Sequence, residues 1–346
     1  IKKMKKIAQF FMIFIIIFTQ NISNADYSSG EVKSFINFMS SEHNYDKDLL
    51  KKLFDEIKTE KKLKKYFKKA PERTLTWNGC NKEDKSCVNY KKLFVTKNNV
   101  TRGLEFWKNN LLSLKKAEKQ FGVPPEIIVS IVGIESKYGS RTGSFKTFDT
   151  LASLSLGPNK GRRAKFYRSE LINFLLLCKE NSLNPRDIKG SYAGALGKPQ
   201  FISSSYRNYA IDFNNDGKVD LWNSNEDVIG SVANYFRKHG WRYNYPVISD
   251  INDGSRSVLE SESKKSYKPK TKYITYLSRG LSSTNKLDSQ ELLSVIARKE
   301  PNGKIFNFAH KNFYVITRYN RSRLYALAVY FLSEDIRAAK SKMERL

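Results

Sequence analysis

The stretch Val123-Pro-Pro-Glu-Ile-Ile-Val-Ser-Ile-Val-Gly-Ile-Glu-Ser-Lys-Tyr-Gly139 constrains this chain more than any other. Pro124-Pro125 suits the first turn of a helix and Gly139 suits its end. Between them Ile128, Ile131 or Val132, and Glu135 recur three or four residues apart, so the glutamate falls on the apolar face of the predicted helix. A carboxyl group placed there loses water, which disfavours its charged form and raises its pKa. A general acid that must hold its proton near neutral pH needs such a setting. A glutamate in a last turn can equally reach solvent or a neighbouring cation, and this segment alone does not choose.

Three later segments add chemistry. In Lys189-Gly-Ser-Tyr-Ala-Gly-Ala-Leu-Gly-Lys-Pro-Gln-Phe-Ile-Ser-Ser-Ser-Tyr206, small residues let the backbone approach a ligand closely. Ser191 and Gln200 offer hydrogen bonds to sugar hydroxyls or acetamides, although a tight helix-packing turn would have the same composition. In Asp212-Phe-Asn-Asn-Asp-Gly-Lys-Val-Asp220, oxygen side chains fall at positions one, three and five (Asp212, Asn214, Asp216), glycine at six and Asp220 at nine. That is the spacing of an EF-hand calcium loop. Position twelve is Asn223 rather than the bidentate glutamate. Asp227, in the first turn of the amphipathic helix that follows, either completes the cage or only favours the helix dipole. The last segment, Asn312 to Tyr325, leads through Tyr319-Asn320 into a final helix near 322–345 with Ser322 as its cap, and cap chemistry alone would account for it.

The chain's 346 residues suffice for a multi-lobed protein. Its net charge of +28 favours an anionic partner, or reflects only a lysine-rich composition. Basic residues do not cluster in a recognisable nucleic-acid fold signature, and the N-terminus argues further against nucleic acid. Lysine-rich residues 1–6, the apolar run Ile7 to Phe18 and the small-residue end at Ser23-Asn24-Ala25 have the layout of a secretory signal peptide, expected over 1–25. The apolar run is too short for a permanent membrane span. Cys80 and Cys87 flank a polar turn and could close a disulfide loop in an oxidising compartment, whereas Cys178 sits in an apolar helical run as a buried thiol. Scattered histidines (His43, His239, His310) argue against a catalytic metal.

Apolar spacing predicts helices over Val32 to Met39, Lys47 to Thr59 and Thr101 to Phe121. The expected division is a helical lobe at 26–120, a core at 121–245, a small β-rich inserted lobe at 246–308 (with β-compatible pieces such as Lys272 to Tyr276), and the rest of the core at 309–346. The fold class is therefore mainly α, in the α+β sense.

Taken in order, VPPEIIVSIVGIES, the RRAKFYRSEL run, GSYAGALG, DFNNDGKVDLW, GSVANYFRKHGW and FYVITRYNRS resemble the membrane-bound lytic murein transglycosylase B family of the lysozyme-like superfamily, glycoside hydrolase family 103. The resemblance spans about residues 75–335. It implies a lysozyme-like core and a single catalytic glutamate, Glu135. It further implies substrate-cleft residues at Ser191, Gln200, Tyr235, Tyr319, Asn320 and Tyr90, and a calcium site of Asp212, Asn214, Asp216, the Lys218 carbonyl and Asp227. The implied reaction cuts the bond between N-acetylmuramic acid and N-acetylglucosamine in peptidoglycan and closes a 1,6-anhydro ring. It needs no catalytic cofactor beside the one structural Ca2+.

Departures are few. The family usually has Gly and Pro where this chain has Pro199 and Ser203, and one extra residue lies between Trp222 and Asp227. The lipid-attachment cysteine is absent, so a soluble periplasmic protein is expected. A two-carboxylate hydrolase would need a partner for Glu135. The nearest candidate, Asp149, reads more easily as a helix cap before Leu151. A hydrolytic muramidase and a non-catalytic peptidoglycan-binding scaffold are the alternatives. Peptidoglycan strands are the expected partner, with other cell-wall enzymes left open.

Overall fold

The computed structural model describes residues 29–57, 74–81, 83–157 and 161–345. The expected signal peptide and the end of the helix predicted to reach Thr59 lie outside the described residues.

Helices α1 (Ser29–His43) and α2 (Lys47–Asp55) bury Phe35, Met39, Leu50 and Leu53. Asp46 starts α2 by accepting the N–H groups of Asp48 and Leu49 at 2.8 and 3.0 Å. Strands β1 (Leu75–Thr76) and β2 (Val88–Asn89) pair in parallel, and Cys80 and Cys87 are joined in a disulfide that closes the turn between them. Then come α3 (Tyr90–Phe94), α4 (Lys97–Asn109) and α5 (Leu111–Phe121). The single helix predicted over Thr101 to Phe121 is thus broken at Asn110. Its side-chain amide donates to the Phe106 carbonyl at 2.7 Å, and its backbone leaves the helical region at φ −127°, ψ 25°.

The glutamate helix is α6 (Pro125–Ser136), with Pro125 at its first position as expected. It ends at Ser136, ahead of Gly139. Lys137, Tyr138 and Gly139 all turn into the left-handed region at φ 51°, 57° and 85°. Two long-range bonds hold that reversal: Arg102 donates to the Lys137 carbonyl at 2.6 Å, and Tyr138 Oη donates to the Asn99 carbonyl at 2.7 Å. The Tyr138 ring lies so close over Gly133 that a Cβ there would sit 2.6 Å from it.

Next follow β3 (Phe145–Lys146), α7 (Thr147–Leu156), α8 (Arg162–Glu180) and β4 (Lys189–Gly190), with β3 and β4 antiparallel. The reading of Asp149 as a cap fails. Lys146 occupies the cap position of α7, and Asp149 lies buried inside the first turn, bonded to Arg186 Nη1 at 2.5 Å. Breaking one partner of a buried pair leaves an uncompensated charge. Arg186→Met should lower the unfolding free energy by about 3–5 kcal/mol, read as a drop in the urea midpoint. An unchanged midpoint would show that the guanidinium, which also lies 3.4 Å from Glu56, adds nothing to stability at this site.

After α9 (Ser203–Tyr209) and α10 (Asn225–Lys238), the chain builds a small sheet. Strand β5 (Ile248–Asp250), helix α11 (Arg256–Ser263), β6 (Thr271–Lys272), α12 (Tyr273–Leu277), β7 (Leu292–Glu300) and β8 (Gly303–Ala309) give an antiparallel order β5-β8-β7-β6. Of the piece Lys272 to Tyr276 read as β-compatible, only Lys272 is in a strand; Tyr273 and Tyr276 lie on α12. Both tyrosines turn into a core of their own with Leu281, Leu293, Val295, Phe306 and Phe308, which one turn of helix reaches and an extended strand would not. The chain returns through α13 (Lys311–Tyr319) to α14 (Arg323–Met343), capped by Ser322 as expected. Helix α14 packs along α6 and α4, and the main core runs through all of these helices. The fold is mainly α with small sheets.

Candidate active site

Glu135 sits in the last turn of α6, against α14. Ile128, Ile131 and Val132 on the same helix are fully buried, so the apolar face carries the glutamate inward. Part of the residue's surface stays open, but its carboxyl group is enclosed. Burial pushes that carboxyl up to about 7. A hydrogen bond from Tyr325 Oη, 2.6 Å away, opposes the rise by favouring the charged form. Among the described residues no second carboxylate contributes to the shift.

Sequence reasoning did not single out Tyr325. It is the third residue of α14, fully buried, and its backbone N–H donates to the Ser322 cap. The cap was legible, but which neighbour this ring would meet depends on how α14 crosses α6.

The tyrosines named from the sequence gather beside this pair. Tyr319 ends α13 and stacks on Tyr325 at 6.4 Å with planes 10° apart. Its hydroxyl donates to the Pro199 carbonyl at 2.6 Å, which ties the glutamine loop to the aromatic cluster. Tyr235, on α10, meets Tyr319 edge-on at 4.9 Å and donates to the Arg318 carbonyl at 2.6 Å. His239 stacks on the other face of Tyr235 at 4.1 Å. Burial pushes the Tyr319 and Tyr325 hydroxyls well above the usual tyrosine value, and the Glu135 charge pushes both further up, so both stay neutral. Tyr90, at the start of α3, feels the charge of the same carboxylate, so it lies near Glu135. The disulfide turn braces that helix start, with the Cys80 N–H donating to Asn89 Oδ1 at 2.9 Å.

Gln200 takes the left-handed region at φ 53°, and its amide donates to the carbonyls of Gly197 (2.8 Å) and Thr142 (3.1 Å). A non-glycine residue there costs about 1–2 kcal/mol, so surrounding bonds must hold it. Leu196 bridges Phe201 across the loop. Ser191 Oγ accepts the N–H groups of Ala193 and Ala195 at 3.2 and 3.0 Å, which shapes the turn after β4. Asn320 follows α13 in extended conformation, and its side-chain amide makes no hydrogen bond within the described residues.

The 212–220 loop stands apart from the glutamate. Asp212 accepts the N–H groups of Asp216 (3.1 Å) and Gly217 (2.8 Å). Asp220 binds Trp222 and Asn223 by their N–H groups instead of facing into the loop. Asp227 is fully buried; one oxygen accepts from Phe213 N–H (2.8 Å) and the other from Asp220 N–H (2.8 Å). It lies in the first turn of α10, so it serves the helix start and fastens the loop at once. Among the described residues, no three His, Cys, Asp or Glu side chains converge as a metal site.

A mainly helical core with a lysozyme-like fold, carrying one desolvated carboxyl beside a cluster of tyrosines, places the chain among glycan-cleaving enzymes. Residues 28–334 match the family described as transglycosylase SLT domain. The chain belongs to that family, the lytic transglycosylases. It is 34% identical over 314 residues to the membrane-bound lytic murein transglycosylase B of Escherichia coli strain K12, covering 90% of this chain and 84% of that one. Its structure is similar to catenated SltB1 of Pseudomonas aeruginosa, with a TM-score of 0.83 and 36% identity over 91% of this chain and 99% of that one. It is also similar to the Escherichia coli lytic transglycosylase Slt35 in complex with calcium, with a TM-score of 0.79 and 32% identity over 94% of this chain and all of that one.

Proposed function

We propose that Glu135 is the sole acid and base of a peptidoglycan lytic transglycosylase reaction. The observation that carries this is its carboxyl, lifted by burial to about 7 with no second carboxylate among the described residues contributing to the rise. Glu135 gives its proton to the oxygen between N-acetylmuramic acid and N-acetylglucosamine as the C1–O bond breaks. The 2-acetamido group of the muramoyl sugar supports the charge at C1. Glu135, now ionised and bonded by Tyr325, takes the proton of the same sugar's C6 hydroxyl as O6 bonds to C1. The carboxyl is restored and no water is consumed. Ser191, Gln200 and Asn320 orient the acetamido group and neighbouring hydroxyls. Tyr319 and Tyr235 already spend their hydroxyls on backbone carbonyls, so they offer ring surface to the sugars, and Tyr90 offers another ring near Glu135.

The test is a mass spectrum of the fragments that the purified protein releases from isolated peptidoglycan. Fragments one water lighter than hydrolysis products support the reading. Reducing-end fragments would make the enzyme a muramidase, and no release would leave a binding protein.

The lobe boundaries proposed are those given above, and export to the periplasm is proposed from the N-terminal layout. No helix among the described residues is long and apolar enough to cross a membrane. Peptidoglycan is the partner proposed.

Calcium belongs in the same proposal. Asp212, Asn214, Asp216 and the Lys218 carbonyl offer only oxygen, the donor that suits a hard cation. Asp227 Oδ1 accepts from both Phe213 and Asn214 N–H. Its Oδ2, which accepts from Asp220 N–H, is the oxygen left to offer a lone pair to the ion while the residue holds the loop. Its role here is structural: to stiffen the loop ahead of α10. Calcium should therefore raise the melting midpoint, by about 2.7 kcal/mol of stability at a hundred times its dissociation constant. Chelation should reverse the rise and Asp212→Ala should abolish it. A midpoint that ignores both would remove the ion from this protein.

A further inference from the structure

Glu170 lies on α8 among the buried residues Tyr167, Leu171 and Phe174, and is itself 4% exposed. Among the described residues no lysine, arginine or histidine pairs with it. Its bonds go elsewhere: one oxygen accepts Ser204 N–H at 2.9 Å and the other Ser204 Oγ–H at 2.7 Å, and the nearby Ser203 N–H also favours its charged form. These are the first residues of α9, whose own cap position holds Ile202 and supplies no side-chain bond. The first N–H groups of a helix need acceptors, and that end favours negative charge. Glu170 therefore caps α9 from another helix.

Two residues before Ile202 stands Gln200, held in its left-handed conformation. The link between them is Phe201, whose ring packs on Tyr235 at 5.7 Å and Tyr319 at 5.8 Å. An anchor on the α9 start therefore fixes the exit of the glutamine loop. The buried carboxylate carries a desolvation cost that no cation offsets, which a purely apolar contact between α8 and α9 would avoid.

We propose that Glu170 is a positioning residue for the transglycosylase reaction, setting the Gln200 loop by capping α9 in trans. The proposal rests on the reading of Gln200 as a substrate-holding residue. Serine at 203 is part of the arrangement, because a proline there would have no N–H to give. Ile202 is already extended at φ −67°, ψ 158°, the conformation that precedes proline comfortably. Ser203→Pro can thus remove one unmet donor without disturbing the loop.

The experiment measures kcat and KM for fragment release from isolated peptidoglycan, with melting curves, for five variants of the full protein. Glu170→Ala should lower kcat/KM by about 10- to 100-fold, the range an ångström-scale misplacement of a substrate-holding group costs. Glu170→Gln, which keeps an acceptor oxygen, should retain most of the activity. Glu170→Ala with Gln200→Ala should be no worse than Gln200→Ala alone, and Glu170→Ala with Ser203→Pro should recover part of the loss. Multiplying effects of the first pair would overturn the positioning role while leaving the Gln200 reading intact. An inert Gln200→Ala would remove both. Should Glu170→Ala fail to fold, a sixth variant, Glu170→Met, which fills the same space without an acceptor oxygen, decides: a loss of rate at an unchanged melting midpoint supports capping, and an unchanged rate overturns it.

Discussion

Glu135→Gln should release no anhydro fragments, with a loss of about 10⁴-fold in kcat, the upper end of what one acid–base group contributes, because this one acts in both halves of the reaction. The glutamine should leave the fold intact and give it a different pH response. Burial holds Glu135 near 7 in the folded chain, against an ordinary value of 4.5. Between those two values the folded chain keeps a proton that the unfolded chain has released. Stability therefore falls as pH rises from about 4.5 to about 7 and levels off above that window. The variant lacks this term. Its melting midpoint should gain on the parent's across the same window and hold the advantage at pH 8. A parallel pH dependence in the two proteins would show that the carboxyl is not desolvated, and residual anhydro product would mean that another group supplies the proton.

Tyr325→Phe should have the second largest effect. Tyr325 Oη donates to Glu135, which favours the ionised form and holds the carboxyl below the level burial alone would set. Without that bond the acid holds its proton to higher pH. Activity that begins from the protonated acid is lost as pH rises through the Glu135 value, so the basic limb of kcat/KM should move upward. A hydrogen bond to a charged group is worth about 1.5–3 kcal/mol. At 1.36 kcal/mol per unit the limb should move by about one to two units. The maximal rate should also fall by at least about 10-fold, since the ionised glutamate left after bond cleavage loses its donor. A lower rate with an unmoved basic limb would assign Tyr325 to packing alone.

The parts of the site that could be read in the sequence are those that local chemistry decides. Glu135 lay on the apolar face because helical periodicity is a short-range property, and α6 puts it there. The Ser322 cap and the proline at the start of α6 are local in the same way. The errors arise where a distant partner wins. Asp149 has the position of a first-turn acid, yet Arg186, 37 residues away, takes its carboxylate. The strand suggested by Tyr273 and Tyr276 gives way to a turn of helix, because burying both rings in one small core needs helical spacing. Asn110 breaks a helix that periodicity alone would continue.

By itself the sequence determined that the fold is mainly helical, that one glutamate would face the interior, and that the ordered motifs belong to a lytic transglycosylase. Only the tertiary structure decided what surrounds that glutamate. Tyr325 reaches it from 190 residues away, Tyr319 joins the glutamine loop to it across 120, and Glu170 holds the start of α9 from 34. Periodicity specifies the face a side chain occupies within its own helix. The partner on the other side is set by the angle at which a second helix crosses it, which is a property of packing that no single segment contains.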